Sequence, residues 1–511
     1  MAFVHHGFAR TLAAEGQEHR AHYASKYPPL GLLSLIRQLE VNYADFDEEY
    51  RPYLEYFDED EFEDDDAFFE AVFCWLAKGS FRILAVGVYT ASFERVSQFL
   101  GRFPEDQVCR VVGGPHATAA PAMPEAHIAV RGEGGRALYH IIEHLLRPTF
   151  GDGPDAAGLC YQERGKVVIS KPAFDRSLAE IPSPAYDYGR CPVPPRANWV
   201  RTVGHYQQIY VATQSCGARC TFCSTYLIHG RFVSRPVRLI EQDLRLMRDR
   251  YGYDSIEFHD DDLLQHDDFS ELLELLTELG LSWSCNARAD TSSSQTALRM
   301  QAAGCRSVFL GLESLDETTL KYFRKGCSVK DNLAAVAAFH DAGIAIISGF
   351  IIGAPHHTLE GVLAEIDAFK ALPIFYLTPS ILTPDFGTVE FQRAKAKDSR
   401  FKALEIDRTS LSVRPRPDLF GSLPPYGLPT VCERLTKVEL NDLAQLAQVE
   451  FFLNDSAIAR ILQYTPIELH EIALRWLEGV VNAAKDLQSR AVLPVIRQRA
   501  FERLANFKGI P

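Results

Sequence analysis

Short apolar runs alternate with amphipathic, helix-like segments over the first part of the chain. Buried strands are predicted at residues 2–5, 82–88, 109–112 and 128–130. Helices are predicted at residues 27–40 and 136–146, and glycine turns follow the last two strands. This alternation predicts an α/β fold, a doubly wound Rossmann-like parallel sheet whose ligand lies beyond the carboxyl ends of its strands.

A second series of strand-like and helix-like runs begins near residue 208. Its predicted strands are residues 209–212, 255–260, 281–286, 306–312, 344–352 and 374–382. Strands that each lead into a helix predict a partial, TIM-like (β/α)6 barrel. Reactive groups of such a barrel are expected at the carboxyl ends of its strands.

The pattern weakens between and after these two regions. Residues 151–207 are rich in glycine and proline, with breaks near 182–187 and 191–195, and predict a hairpin and linker. Beyond residue 395 the apolar spacing predicts helices at 435–453 and 466–487. The expected domains are residues 1–150, 151–207, 208–395 and 396–511.

The charge and composition of the chain disfavour some classes of binding partner. The 511 residues have a formal net charge of −14, which disfavours nucleic acid and anionic membrane as partners, because both require basic patches. The acidic run at residues 58–66 is interpreted as a solvated loop or helix entry. The first residues lack the regions of a signal peptide, and the apolar run at 342–355 is shorter than a membrane span. We therefore expect a cytoplasmic protein with no membrane segment.

Three cysteines occur within eight residues, directly after the first predicted barrel strand. Cys216, Cys220 and Cys223 are spaced to converge on one centre, and thiolates are the usual protein ligands of iron–sulfur clusters. A structural zinc site or three unrelated thiols remain as alternatives, although zinc usually requires a fourth ligand. Cys285, Cys305 and Cys327 are interpreted as free thiols.

This loop, with Phe222 before its last cysteine, resembles the signature of the radical S-adenosylmethionine (SAM) superfamily. The resemblance implies a 4Fe–4S cluster held by the three cysteines, with one iron open to SAM. It further implies SAM contacts from residues near the later strand ends. These residues are Asp260 and Asp261 for the amine, Arg288 for the carboxylate, Glu313 for the ribose, and Gly349 and Gly353 on the adenine side, and Phe222 of the cysteine loop is a further implied SAM contact.

The N-terminal region resembles the cobalamin-binding domain of one radical SAM subclass, which includes the anaerobic magnesium-protoporphyrin cyclase and many carbon methylases. The resemblance is carried by Tyr-Pro-Pro-Leu-Gly-Leu-Leu at 27–33, Val-Val-Gly-Gly-Pro-His-Ala-Thr at 111–118 and Arg-Gly-Glu-Gly at 131–134. It implies cobalamin contacts from Gly113, Gly114, His116, Thr118, Gly132, Glu133 and Gly134. The sequence lacks Asp-x-His-x-x-Gly, which supplies a histidine to cobalt in other cobalamin domains. A sheet that has kept its shape and lost the cofactor is the alternative.

Together the two resemblances imply a cobalamin-dependent radical SAM enzyme, with methyl transfer to a carbon of a small molecule or peptide as the expected reaction. An electron donor such as flavodoxin or ferredoxin is the expected partner. One alternative is a cobalamin-containing radical enzyme that oxidises, cyclises or rearranges its substrate without methylation. The other is a non-catalytic iron–sulfur or corrinoid sensor or carrier.

Overall fold

The structure is a computed structural model. It describes residues 1–5, 30–44, 51–89, 92–119, 125–146, 157–163, 166–174, 177–184, 200–402 and 430–507. The first residues of the Tyr-Pro-Pro motif and the proline-rich segments at 191–195 and 414–425 lie outside these ranges. The chain divides into two compact units, the first comprising Met1–Pro192, Ser224–Val233 and Asp385–Leu428, and the second the remainder.

The first unit is built on one seven-stranded sheet. Its strands are β1 (Ala2–His5), β2 (Glu55–Asp58), β3 (Ile83–Gly87), β4 (Cys109–Gly113), β5 (Ile128–Val130), β6 (Leu159–Glu163) and β7 (Lys166–Ile169). The order is β2-β1-β3-β4-β5-β6-β7, with β1 to β5 parallel. The part β2-β1-β3-β4-β5 has the flavodoxin-like order of doubly wound proteins, which bind ligands where the strand order reverses.

The predicted hairpin is part of this sheet. Strands β6 and β7 pair in an antiparallel manner and join the sheet through β5. The hairpin at residues 159–169 therefore belongs to the first unit.

Helices cover both faces of the first sheet. In this unit they are Leu30–Asn42, Asp65–Leu76, Phe93–Leu100, Pro115–Ala119, Gly134–Leu146, Thr225–His229, Val389–Lys397 and Ser399–Lys402. One apolar core contains Val4, Leu84 and Val86, whereas their neighbours Phe3 and Ala85 belong to a second core. Because successive side chains of a strand point to opposite faces, this alternation shows that both faces are buried.

The acidic run mostly behaves as a helix entry. The Asp64 carboxylate caps helix Asp65–Leu76 by accepting from the backbone N–H groups of Asp66 and Ala67. Glu59 is the exception to the expected solvation, because it is fully buried and forms an ion pair with Arg95. A buried carboxylate requires such a partner.

The second unit contains the predicted barrel strands. The strands from residue 207 onward are β8 (Gln207–Tyr210), β9 (Thr213–Gln214), β10 (Val233–Ser234), β11 (Ser255–Phe258), β12 (Ser282–Arg288), β13 (Cys305–Glu313), β14 (Ala345–Ile352) and β15 (Tyr376–Ile381). Six of them form an all-parallel sheet in the order β15-β14-β13-β12-β11-β8. Sequence order is kept across the sheet, so the predicted partial barrel is confirmed.

The two faces of this sheet differ in chemistry. Tyr210, Phe258 and Trp283 form a row of ring contacts on one face, where the Tyr210 hydroxyl donates to Asp243 of the covering helix. On the opposite face Gln207 donates to Glu257, which is fully buried. The interior of the barrel is therefore lined by polar groups, as a site for a charged ligand requires.

Helices of the second unit follow the strands and then form a C-terminal group. They are Val237–Tyr251, Phe269–Leu279, Ser294–Ala302, Glu317–Phe323, Val329–Asp341, Leu359–Lys370, Lys437–Phe452, Asp455–Tyr464, His470–Arg490 and Pro494–Asn506. The helical C-terminal region predicted from the sequence is thus present.

No helix in the described parts of the chain is long and apolar enough to cross a membrane.

A buried carboxylate joins the C-terminal helices to the barrel. Glu450 accepts from Lys370 at 2.7 Å, from Arg499 at 2.7 Å and from Arg503 at 2.8 Å. Burial alone would raise the pKa of Glu450, but these three cations outweigh burial and lower it to about 2. Since Lys370 ends helix Leu359–Lys370, this network attaches a barrel helix to the helices beyond residue 436.

We predict that Glu450→Gln lowers the free energy of unfolding by about 1–3 kcal/mol, because it leaves three cations without their shared carboxylate. The contribution of Glu450 is complete above its unfolded pKa, near 4.5, and is lost as the pH falls toward about 2. Urea unfolding at neutral pH and at about pH 3 checks this, and the difference between the two proteins should shrink at acid pH.

Glu478→Gln is the matched control, because Glu478 is exposed on helix His470–Arg490. A Glu450→Gln loss no larger than that of Glu478→Gln would contradict the prediction.

Candidate active site

The cysteine loop lies directly beyond the carboxyl end of β8. Cys220 is buried, Cys216 and Cys223 are half-buried, and none of the three forms a disulfide. The backbone N–H of Ala218 approaches the Cys216 sulfur at 3.4 Å, and the N–H of Cys223 donates to the carbonyl of Cys220. The loop therefore presents three available thiols, as the spacing predicts.

Asp260 holds the chain segment that leads into the loop. Its carboxylate accepts from the N–H of Ala212 at 3.1 Å, from the N–H of Thr213, and from the Thr213 hydroxyl at 2.6 Å. Burial raises the pKa of Asp260 to about 7, against the effect of these donors. The predicted contacts of Asp260 and Asp261 with SAM stay predictions. The structure gives Asp260 a supporting role that sequence reasoning missed, and it leaves Asp261 exposed.

Asp262 is connected to Cys216 through the side chain of Gln265. Gln265 donates to the fully buried Asp262 at 2.8 Å, accepts from the N–H of Gly217 at 2.9 Å, and lies 3.5 Å from the Cys216 sulfur. Burial also raises the pKa of Asp262, to about 6. Neither Asp262 nor Gln265 was among the predicted site residues. The run of three aspartates after β11 was the available signal.

Arg288 ends β12 and lies beside the second cysteine. Its guanidinium forms a two-point ion pair with Asp290, at 2.9 and 2.8 Å, and a third nitrogen is 3.5 Å from the Cys220 sulfur. Burial alone would lower the pKa of Arg288, but Asp290 and Cys220 raise it overall. Its predicted pairing with the SAM carboxylate stays a prediction. The observed geometry places a permanent cation next to the Cys220 sulfur.

Glu313 ends β13 and forms an ion pair with a buried lysine. Lys325 donates to Glu313 at 3.1 Å. Burial alone would lower the pKa of Lys325, but Glu313 and Cys220 raise it on balance. Sequence reasoning missed Lys325, whose isolated position after a helix offered no motif.

Two glycines leave room for the Glu313 carboxylate. A Cβ at Gly311 would come within 2.8 Å of one Glu313 oxygen, and a Cβ at Gly349 within 2.9 Å of the other. Such distances are shorter than real Cβ contacts. The missing side chain at Gly349 therefore leaves space for the carboxylate of Glu313, the predicted ribose-binding residue. This role is separate from the predicted contact of Gly349 with adenine.

Phe222 contributes packing. Its ring lies 5.1 Å from that of Phe323 and joins an apolar cluster with Ile351, Ala354 and Leu382. The neighbouring Thr221 N–H donates to the Phe323 carbonyl at 2.8 Å. The cysteine loop is thereby fastened to the end of helix Glu317–Phe323.

Backbone strain concentrates at this site. Among the described residues, the non-glycine residues with positive φ are Ser215 at 67°, Glu313 at 64° and Arg324 at 51°. Ser215 precedes the first cysteine, and Arg324 lies between Phe323 and Lys325. Each left-handed conformation costs about 1–2 kcal/mol, and such strain tends to mark functional sites.

These groups fit a four-iron cluster better than a single metal ion. In the described part of the chain, no three or more histidine, cysteine, aspartate or glutamate side chains are arranged to hold a single ion. The thiolates of a four-iron cube bind different iron atoms, so they need not meet at one point. Arg288 and Lys325 beside Cys220 supply positive charge for thiolates in a partly buried site.

The predicted cobalamin residues lie at the carboxyl ends of β4 and β5 in the first unit. Gly114 has φ +94°, and a Cβ there would lie 3.1 Å from the Val88 carbonyl oxygen. At Gly132, φ is +88° and a Cβ would overlap the Ala173 carbonyl oxygen at 1.9 Å. Thr118 donates to Gly114 and accepts from the N–H of Gly132 at 2.9 Å, so the two turns are joined.

The other members of the predicted set have their own local roles. A Cβ at Gly134 would contact Leu35 at 2.9 Å, so this glycine lets helices Leu30–Asn42 and Gly134–Leu146 approach closely. Glu133 lies 3.4 Å from His229. By contrast, a Cβ at Gly113 would meet only Val130, at 3.7 Å, and one at Gly87 would meet no atom within 4 Å. The bare strand ends of β3 and β4 therefore leave space for a ligand.

His116 is held in an aromatic environment. Its ring centroid lies 4.8 Å from that of Phe93 and 6.0 Å from that of Phe386, and only 4% of the residue is exposed. Burial lowers the pKa of His116 to about 4, so the ring is neutral at neutral pH.

Comparison with known proteins gives the class of the barrel: residues 210–368 match the radical SAM superfamily. An uncharacterized methyltransferase of Pyrococcus horikoshii is 30% identical over 303 residues, which are 57% of this chain and 64% of that protein. The bacteriochlorophyllide d C-12(1)-methyltransferase of Chlorobaculum tepidum is 30% identical over 197 residues, 37% of this chain and 43% of that protein.

A solved structure extends the likeness to nearly the whole chain. The cobalamin-dependent SAM radical enzyme OxsB, with aqua-cobalamin and SAM bound, aligns with a TM-score of 0.59 and 15% identity over 98% of this chain and 70% of its own. At this identity the likeness shows a shared fold.

The chain therefore contains a radical SAM domain, and the predicted radical SAM resemblance is confirmed. Proteins of that superfamily use a 4Fe–4S cluster and SAM. The matched segments span between 43% and 64% of the length of the two sequence relatives.

We predict that Asp260→Ala impairs cluster assembly without unfolding the barrel. The substitution removes the oxygen that accepts from the Ala212 N–H, the Thr213 N–H and the Thr213 hydroxyl, so it leaves these buried donors unpaired in the segment before Cys216. Iron and sulfide bound after anaerobic reconstitution should fall about threefold or more, the effect expected when a buried hydrogen bond is lost.

The exposed Asp267, which follows the same strand, supplies the matched control as Asp267→Ala. Wild-type iron content in Asp260→Ala would refute the supporting role of Asp260.

Proposed function

We propose that this chain is a cobalamin-dependent radical SAM enzyme that transfers a methyl group from SAM to a carbon atom of a small molecule or peptide. The observation that carries the proposal is the cysteine loop beyond β8, inside the segment that matches the radical SAM superfamily. The names of two relatives, both methyltransferases, support the reaction type.

Cys216, Cys220 and Cys223 would hold the cluster, and Gln265 and Arg288 would donate to two of these sulfurs. When bound, the cluster supplies the electron that cleaves SAM, and cobalamin supplies a methyl group for transfer. The chain itself orients the sulfurs, through Asp260 and Gln265 on one side and Phe323 on the other. Hydrogen bonds to sulfur and nearby charge are the means by which a protein tunes such a cluster.

Glu313, Arg288, Gly349 and Gly353 would bind SAM at the ends of three neighbouring strands, β12 to β14. The ion pair with Lys325 keeps the Glu313 carboxylate in a fixed position, ready to accept from ribose hydroxyls. Asp290 fixes the plane of the Arg288 guanidinium, the group best shaped for a carboxylate. Positioning of this kind is the main contribution of a protein to cofactor chemistry.

Gly113, Gly114 and Gly132 would form the floor of a cobalamin site, with His116, Thr118, Glu133 and Gly134 around it. The open backbone at Gly87 and Gly113 and the flavodoxin-like strand order support this placement. Enclosure of the His116 ring between Phe93 and Phe386 argues against its serving as a cobalt ligand. We therefore propose that cobalamin is bound without a protein histidine on cobalt.

Electron paramagnetic resonance of the Co(II) form tests the cobalamin proposal. We predict that the purified protein retains cobalamin and that its spectrum lacks the splitting that an imidazole nitrogen on cobalt produces. His116→Gln should leave the spectrum unchanged. An imidazole splitting that disappears in His116→Gln would contradict the proposal, as would a protein that retains no corrinoid.

Product analysis tests the reaction. A carbon without a lone pair cannot attack the methyl group of SAM directly, so one SAM is consumed to remove a hydrogen atom and a second to supply the methyl group. We predict that 5′-deoxyadenosine and S-adenosylhomocysteine accumulate in about equal amounts, and that the methyl label of SAM enters the product. Mass spectrometry of an anaerobic reaction with a metabolite extract, labelled SAM and reduced flavodoxin or ferredoxin measures all three.

Cys220→Ala is the control, and it should form no 5′-deoxyadenosine while remaining folded. Formation of 5′-deoxyadenosine with an unmethylated product would indicate that the enzyme performs radical chemistry without methylation. S-adenosylhomocysteine alone would indicate polar methylation of a nucleophilic carbon. Absence of both products would favour a sensor or carrier.

A further inference from the structure

A buried histidine closes the turn that follows β14. Gly353 has φ +102°, a conformation that only glycine adopts readily, and its N–H donates to the Nδ1 of His357 at 3.1 Å. A Cβ on Gly353 would lie 3.3 Å from Leu440. The predicted adenine-side glycine is therefore fixed by the ring of His357.

The other nitrogen of the same ring contacts a different element. His357 Nε2 lies 3.0 Å from the Thr319 hydroxyl, which also lies 3.0 Å from His356 Nε2 and donates its single hydrogen to the Asp316 carboxylate at 2.9 Å. The hydroxyl is left with acceptor capacity only, so Nε2 must carry the proton. Nδ1 must be bare, because it accepts from Gly353. The hydrogen bonds thus select the neutral tautomer with the proton on Nε2.

The surroundings of His357 keep this ring neutral. His357 is 5% exposed, and burial lowers its pKa to about 4, with a further lowering from His356. Asp316 acts in the opposite direction, and Glu365 Oε1 lies 4.0 Å from Nε2. A neutral ring can accept at one nitrogen and donate at the other, which a charged ring cannot do.

Thr319 belongs to the helix that holds the cysteine loop. It lies in the first turn of helix Glu317–Phe323, and the last carbonyl of this helix accepts from the Thr221 N–H. The Tyr322 carbonyl accepts from the Thr221 hydroxyl at 3.4 Å. Through Nδ1, the ring of His357 contacts Gly353 directly. Through Nε2 and Thr319, it is connected to the helix whose last carbonyl binds Thr221, the neighbour of Cys220.

We propose that His357 is a positioning residue for both sides of the site: through Nδ1 it holds Gly353 on the adenine side of the SAM site, and through Nε2 it holds Thr319 of the helix that fastens the cysteine loop. This inference rests on the proposed function, because it takes Gly353 as part of the SAM site. Any buried histidine needs partners for its nitrogens, but here the two partners belong to different elements, the turn after β14 and the first turn of helix Glu317–Phe323.

Two substitutions of His357 test the contacts of its two ring nitrogens separately. The side-chain oxygen of His357→Asn occupies the position of Nδ1 and still accepts from Gly353, but the side chain is too short to reach Thr319. The nitrogen of His357→Gln reaches the position of Nε2 and still donates to Thr319, but its oxygen does not lie at Nδ1. Each variant therefore keeps one connection and loses the other.

The experiment measures two quantities on cluster-loaded protein under anaerobic conditions. Equilibrium dialysis with labelled SAM gives the Kd, and loss of cluster absorbance in the presence of an iron chelator gives the release rate. We expect His357→Gln to raise the Kd about 3- to 10-fold with the release rate unchanged, the effect of one lost hydrogen bond. We expect His357→Asn to raise the release rate by a similar factor with the Kd unchanged.

His340→Asn and His340→Gln, on the exposed side of helix Val329–Asp341, are the matched controls and should change neither quantity. If the two His357 variants alter both quantities together, or neither, the two separate positioning contacts are refuted and His357 is an ordinary core residue. If both variants fail to fold, Thr319→Val takes their place, because it removes the hydroxyl and keeps the side-chain shape. Unchanged cluster release in Thr319→Val would then refute the contact with the cysteine-loop helix.

A wild-type protein that takes up no four-iron cluster would instead overturn the proposed function. The cluster content of the wild type is therefore measured first, which keeps the two failures distinct.

Discussion

The cysteine loop has no regular secondary structure between β9 and the helix that follows, so groups from other strands must satisfy its backbone. The Asp260 carboxylate secures the approach to the loop, Gln265 secures Gly217, and the Phe323 carbonyl secures Thr221. Asp260 and Gln265 lie in the segment after β11, and Phe323 ends the helix that follows β13, so the contacts come from two places along one parallel sheet. Formation of that sheet therefore sets the positions of the sulfurs.

Charge in this site is arranged in pairs. Arg288 with Asp290 and Lys325 with Glu313 bring four ionised groups into a largely buried region, where an isolated charge would be very costly. Each pair is nearly balanced by itself, yet both cations face Cys220. The arrangement places positive potential at the sulfurs without a net buried charge.

The sequence predicted the parts of the site that depend on spacing along the chain. The cysteines, the strands and Glu313 at a strand end are of this kind, because a strand and the loop after it are contiguous in sequence. Lys325 and Gln265 were missed, since only tertiary packing brings them to the cysteines. The strained backbone at Ser215 and Arg324 also gave no signal, because positive φ is expected at glycine. Glu59 was misjudged because its partner Arg95 lies on another helix.

The residues with positive φ around the cysteine loop bear on how much of the loop is shaped before the cluster binds. Their conformations are imposed by packing within the polypeptide, so the loop is already shaped when folding is complete. In a zinc finger, by contrast, the metal supplies the free energy of folding and the apoprotein is unfolded. Here the backbone conformation on both sides of the cysteines is fixed by contacts within the chain, so binding of iron and sulfide would order few additional residues.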